Sequence, residues 1–240
     1  MIWKHAATAL CAGALLAGCA ATQQARDVET SAAEAAGSGF LGGDYARLRP
    51  GEGDEALMVY RAPNANWARY DKIKLDPVTI WAGEDSAFED FSQPDRQALA
   101  DTFYTLLHET LSQDYQMVDE LGPGVLQVQT ALTDAQTSNP VLDTISTVLP
   151  IGLAVAQTKN LLTGKPSFVG EASAEARVLD GQTGQLLAAA VDRRVGGKAL
   201  GGRPLNSWDD ARRAYQYWAE QLRYRLCVER GDADCVQPDA

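Results

Sequence analysis

The groups able to do covalent chemistry in this 240-residue chain are few, and the thiols come first. Cys19 ends the run Leu16-Ala17-Gly18-Cys19, behind an apolar stretch from Ala6 to Ala17. Those four residues have the order of a bacterial lipobox, in which cleavage precedes the cysteine and the thiol takes a lipid. The apolar stretch is too short to cross a bilayer as a helix, so it reads as a signal peptide over 1–18. Acyl chains on Cys19 would hold the chain to a membrane, since each buried methylene adds about 0.8 kcal/mol and more than one chain anchors stably. Cys11 leaves with the signal. Cys227 and Cys235 remain, eight positions apart in an oxidising export compartment, and are expected to form a disulfide.

The other chemistry-bearing groups are sparse. The mature chain keeps one histidine, His108, with no serine or cysteine partner in a recognisable motif, so it is read as structural. One histidine and two cysteines do not make a zinc site. Glu84, Asp85, Glu89 and Asp90 cluster within one loop, but their spacing fits no calcium loop and a solvated loop is the expectation. Val195 to Pro204 reads V-G-G-K-A-L-G-G-R-P, which lacks the Walker spacing, as does Gly164-Lys165-Pro166. Arg193, Arg194, Lys198 and Arg203 are nonetheless the main basic cluster of an acidic protein and a candidate anion- or partner-binding site. No nucleophile elbow or dinucleotide fingerprint is present, so no catalytic residue, cofactor or metal is assigned. The formal net charge of -11 disfavours nucleic acid as a partner.

The elements that hold these groups can be placed by periodicity. Residues 19–38 are rich in Ala, Gln, Ser, Thr and Glu and read as a lipidated flexible tether. Glu55 to Arg61 and Lys72 to Trp81 are predicted strands, the second disturbed at Pro77, which cannot donate to a ladder. Ser92 caps a helix over about 93–112, with Pro94 and Asp95 in its first turn and Leu99, Phe103, Leu106, Leu107 and Leu111 as its apolar stripe. Tyr115 to Val118 is a short strand. Val125 to Thr133 alternates, with Leu126, Val128, Thr130 and Leu132 on one face and Gln127 and Gln129 on the other. Phe168 to Leu179 and Gln185 to Arg194 form a hairpin about Asp180-Gly181-Gln182-Thr183-Gly184. The small residues on one face of that hairpin (Gly170, Ala172, Ala174, Ala176) are expected to admit a helix closely. Glu171, Ser173, Glu175 and Arg177 are expected on the opposite, polar face. A second long helix runs over about 208–229, with Ala211, Tyr215, Trp218, Leu222 and Leu226 facing inward. Residues 141–162 are apolar at helical spacing but interrupted by Pro150. They read as a kinked segment covering the sheet or as an element meeting a membrane or partner.

These elements make a single α+β domain over 39–230: a mostly antiparallel or mixed sheet of about five to six strands, with both long helices on one face. An acidic tail, 231–240, follows.

The stretch Ser38 to Pro50 (S-G-F-L-G-G-D-Y-A-R-L-R-P) resembles the opening of a family of uncharacterised Gram-negative lipoproteins, a domain-of-unknown-function family. The similarity continues through Tyr70-Asp71-Lys72, Asp76-Pro77-Val78, Thr163-Gly164-Lys165, Phe168 to Ala172 and Val191-Asp192-Arg193-Arg194, across most of Gly39 to Arg230. It implies class and compartment, and no activity. Ala20 is not the aspartate that commonly retains lipoproteins in the inner membrane, so the resemblance implies the outer membrane, facing the periplasm. The expected role is a non-catalytic binding or scaffold module for an envelope protein or cell-wall component. A subunit of an oligomeric membrane-associated or secretion assembly using 141–162 is the alternative, and an envelope hydrolase with a carboxylate site is a second.

Overall fold

The computed structural model describes residues 23–24, 38–81, 88, 91–133, 171–195 and 207–239; at 23, 171, 195 and 207–210 it describes the backbone alone. In chain order the strands and α-helices are β1 (Gln23–Gln24), β2 (Arg49–Pro50), β3 (Met58–Arg61), β4 (Lys72–Leu75), β5 (Thr79–Trp81), α1 (Gln93–Leu111), β6 (Gln116–Met117), β7 (Val125–Thr133), β8 (Glu171–Asp180), β9 (Leu186–Val195) and α2 (Ser207–Arg230).

One sheet takes all nine strands, in the order β2-β3-β9-β8-β7-β4-β6, with β1 on β9 and β5 on β7. The sheet is mixed. β8 pairs antiparallel with β7 and β9, and β9 with β3, whereas β4, β5 and β6 enter by parallel pairing. The expected five to six strands are therefore too few. β1, β2 and β6 are two residues each, too short for alternation to register. Pro77 divides the expected strand Lys72 to Trp81 into β4 and β5, which continue along the same neighbour, β7.

Helix α1 starts where its chemistry dictates. The Ser92 hydroxyl accepts from the Asp95 backbone N–H at 3.3 Å, and a proline occupies the first turn. Its stripe buries Leu99, Phe103, Leu106, Leu107 and Leu111. Helix α2 meets it through Phe103, whose ring lies 4.9 Å from that of Tyr215 and 5.9 Å from that of Trp218. Both helices share one core with Ile73, Leu126, Val128, Leu132 and Val178, on one face of the sheet as expected.

The other face is not left to water. Residues 38–48, including a 3-10 turn at Gly42–Arg47, lie across it. Leu41 and Tyr45 join Met58, Leu186, Ala189 and Val191 in a second, smaller core. The strand that reads as half-exposed thus has both faces covered here: Ser173 and Glu175 are buried alongside Ala172 and Ala174. Glu175, only 2% exposed, is the anchor of this cover. It accepts from the Ser38 hydroxyl at 2.5 Å and the Tyr45 hydroxyl at 2.6 Å. Burial pushes its carboxyl above the ordinary value despite those bonds, and burial with the Glu175 bond lifts the Tyr45 phenol to about 12.

The β8–β9 turn is fixed by Asp180, whose carboxylate accepts from the backbone N–H groups of Gln182 and Thr183 at 2.9 and 2.8 Å. A Cβ on Gly181 would stand 2.7 Å from the Val125 carbonyl oxygen, so only glycine fits there. Tyr70, at 2.6 Å, and Arg69 also donate to Asp180. Burial alone would raise this carboxyl; the Tyr70 and turn N–H bonds outweigh it and hold it at about 2. The C-terminus is closed by a disulfide between Cys227 and Cys235, whose Cα atoms lie 5.6 Å apart.

Candidate functional site: a cavity between the hairpin and the second helix

The small side chains of the hairpin do not simply let α2 approach. Ala174, Ala176, Ala188 and Ala190 floor a cavity of about 170 Å³, roofed by Tyr217, Trp218, Gln221, Leu222 and Arg225 of α2. Register explains the placement: Ala176 faces Ala190, Val178 faces Ala188, and Ala174 faces Asp192. Successive strand residues alternate faces, so the alanines all lie on the helix side, and their short side chains leave space beneath α2. Phe103 and Leu107 of α1, with Thr130 of β7, form the inner wall.

Asp192 is the polar landmark. It is 6% exposed and accepts from the Trp218 indole N–H at 2.8 Å, the Gln24 amide at 2.5 Å and the Leu57 backbone N–H at 3.2 Å. Burial is the largest influence and lifts its carboxyl above the ordinary value; the three donors and Arg194 act the other way. The rim is built from ion pairs. Arg61 meets Glu229 at 2.6 Å and Arg225 meets Asp54 at 2.7 Å, each joining α2 to the β3 side, and Arg49 meets Glu55 at 2.9 Å. The Gln221 amide also donates to the Asp54 carbonyl at 2.6 Å.

The basic cluster is not brought together as one cradle. Arg193 and Arg194 are consecutive on β9 and both buried, so they project to opposite faces of the sheet. Arg194 lies on the helix side, its guanidinium 3.5 Å from the centre of the Tyr217 ring. Burial is the largest influence on it and lowers its pKa. Lys198 and Arg203 lie outside the described residues, as do Cys19, the segment 141–162 and the acidic residues Glu84, Asp85, Glu89 and Asp90. His108 is half-buried on α1, its ring 6.1 Å from Tyr104. Among the described residues no group of three His, Cys, Asp or Glu is placed to hold a metal ion, and no helix is long and apolar enough to cross a membrane.

Sequence reasoning missed Asp192 and Glu175 as organising groups. Both sit in strands whose alternation marks them merely as polar positions. The available signal was local, an acid within V-D-R-R and an acid among alanines, but the partners Gln24, Leu57, Ser38, Tyr45 and Trp218 are distant in sequence.

The sequence profile of a protein family of unknown function, DUF3313, matches residues 36–222. The chain belongs to the DUF3313 family. The match begins just before Ser38, so the segment covering the second face, strands β2 to β9 and most of α2 all fall within the DUF3313 domain. No curated protein matches this DUF3313 chain. Among solved structures it is similar to two PelC dodecamers from Paraburkholderia phytofirmans, one of them a point variant. Identities are 10% and 11%, 73% of this chain and 98% of that chain are covered, and the TM-score is 0.35 in both comparisons.

Proposed function

We propose that this DUF3313 protein is a lipid-tethered, non-catalytic binding module of the bacterial envelope, held to the outer membrane through Cys19, with the cavity beneath α2 as its binding site. The observation that carries the binding reading is how the acids around the cavity are used. Asp192 is taken up by three donors, and Asp54, Glu55 and Glu229 are each paired with an arginine. A general acid or base works with a proton or lone pair free for substrate. Here the carboxylates brace the walls, and the alanine floor offers shape and apolar surface, the usual lining of a ligand site. The tether reading rests on the lipobox and on the family resemblance.

A photo-reactive amino acid placed at Leu222, half-buried on the roof, tests this in cells. Illumination should give discrete adducts with an envelope component. A diffuse background equal to that from a position remote from the cavity, such as Thr183, would contradict it.

A further inference from the structure

The cavity has a shape and polarity that narrow what it takes. Its lining runs from Thr130 on β7, across β8 and β9, to Val59 on β3, three inter-strand steps or about 14 Å. With a volume of about 170 Å³ it is elongated and narrow. A cavity of ~150 Å³ admits a benzene-sized molecule, so this one matches an aliphatic chain of about six carbons. Its floor is methyl groups, and two buried side-chain oxygens among its lining residues have no hydrogen-bond partner: the Thr130 hydroxyl and the Gln221 side-chain oxygen. Thr130 is 3% exposed and sits beside Ala176 in register. Buried polar atoms are ordinarily paired, and a lone one is costly. The Gln221 amide nitrogen is committed to Asp54, so its oxygen can only accept. A group that satisfies it must donate.

We infer that the cavity binds a medium-chain aliphatic amphiphile, a free alcohol or protonated acid, with its chain along the alanine floor and its polar head donating to Gln221 or exchanging a hydrogen bond with Thr130. The inference rests on the cavity being the binding site and adds the chemical class of ligand. The charged rim supports the mode of entry. The Arg61–Glu229 pair ties the β3 side to α2 beside the opening, and its arginine lies at the surface, where the pair can part at little cost.

The test uses the full chain and bromine-tagged hexanol and hexanoic acid. Trp67 and Trp218 line the cavity, so a bound bromine quenches their fluorescence. Saturable quenching is expected in the native chain. It should be lost in Ala176→Leu, which fills the floor, and weakened about tenfold in Thr130→Val, which keeps the shape and removes the hydroxyl. Should Ala176→Leu fail to fold, Ala190→Val must still weaken binding severalfold. Non-saturable quenching, or saturable quenching unchanged in all these variants, overturns the proposal. Quenching seen only in Cys19→Ser would mean that the chain's own acyl group is the occupant, and that also overturns it. A cross-linked protein adduct at position 222 that persists while the probes fail would remove the ligand class and leave the binding-module reading standing.

Discussion

Tyr45→Phe removes the hydroxyl that helps hold the N-terminal segment to the sheet. The ring stays in the second core beside Leu41, Met58 and Val191, so no cavity forms. What is lost is the 2.6 Å bond from the hydroxyl to the Glu175 carboxylate, with the 2.9 Å contact between that hydroxyl and the Ser38 hydroxyl. Hydrogen bonds to charged groups contribute about 1.5–3 kcal/mol, and this one serves a carboxylate only 2% exposed, which argues for the upper half of that range. A loss of about 2.5 kcal/mol lowers the melting temperature of a domain this size by about 5–10 °C. Urea unfolding should show a lower midpoint with an unchanged slope. The pH profile adds a second readout. Burial holds the Glu175 carboxyl above its ordinary value, so its contribution to stability is full below the ordinary value of 4.5 and fades as pH rises through the raised one. Glu175→Gln should flatten that limb. A midpoint in Tyr45→Phe within about 0.5 kcal/mol of native, with the limb intact in Glu175→Gln, would refute the claim that Glu175 clamps the segment.

Asp180 has the opposite sign. Its carboxyl is held at about 2 against an ordinary 3.8, so its stabilisation is present above 3.8 and disappears as pH falls through about 2. Asp180→Asn should cost about 2 kcal/mol at neutral pH and blunt the acid limb of a thermal unfolding profile. Trp218→Phe removes a donor to Asp192 while keeping an aromatic ring under the roof, and should cost about 2 kcal/mol in urea unfolding. Reducing Cys227–Cys235, which closes a short loop at the end of α2, should cost about 2.5 kcal/mol by loop entropy and leave the far-ultraviolet dichroism of the domain in place.

What the sequence shows of this molecule is what short-range patterns can carry. Ser92, Pro94 and the leucine stripe place α1 within a residue of its observed ends, and the alternation in Val125 to Thr133 gives β7. Asp180 to Gly184 marks the hairpin, and Pro77 marks the break between β4 and β5. The failures are all long-range. Nothing in Lys72–Leu75 indicates that it will lie parallel to Val125–Val128, fifty residues on. Ser173 and Glu175 read as a wet face because the segment that covers them lies more than 120 residues earlier. The alanines suggest close helix packing, yet the Phe103–Tyr215–Trp218 stack holds α2 over them with space left between, and that space is the cavity.

In the proposed role the domain is held in the envelope through one atom, the sulfur of Cys19. Fractionating cells that express native chain and Cys19→Ser measures that directly. Native protein is expected in the outer-membrane fraction, and Cys19→Ser in the soluble periplasmic fraction with its fold intact. Cys19→Ser that still sediments with the outer membrane would contradict it.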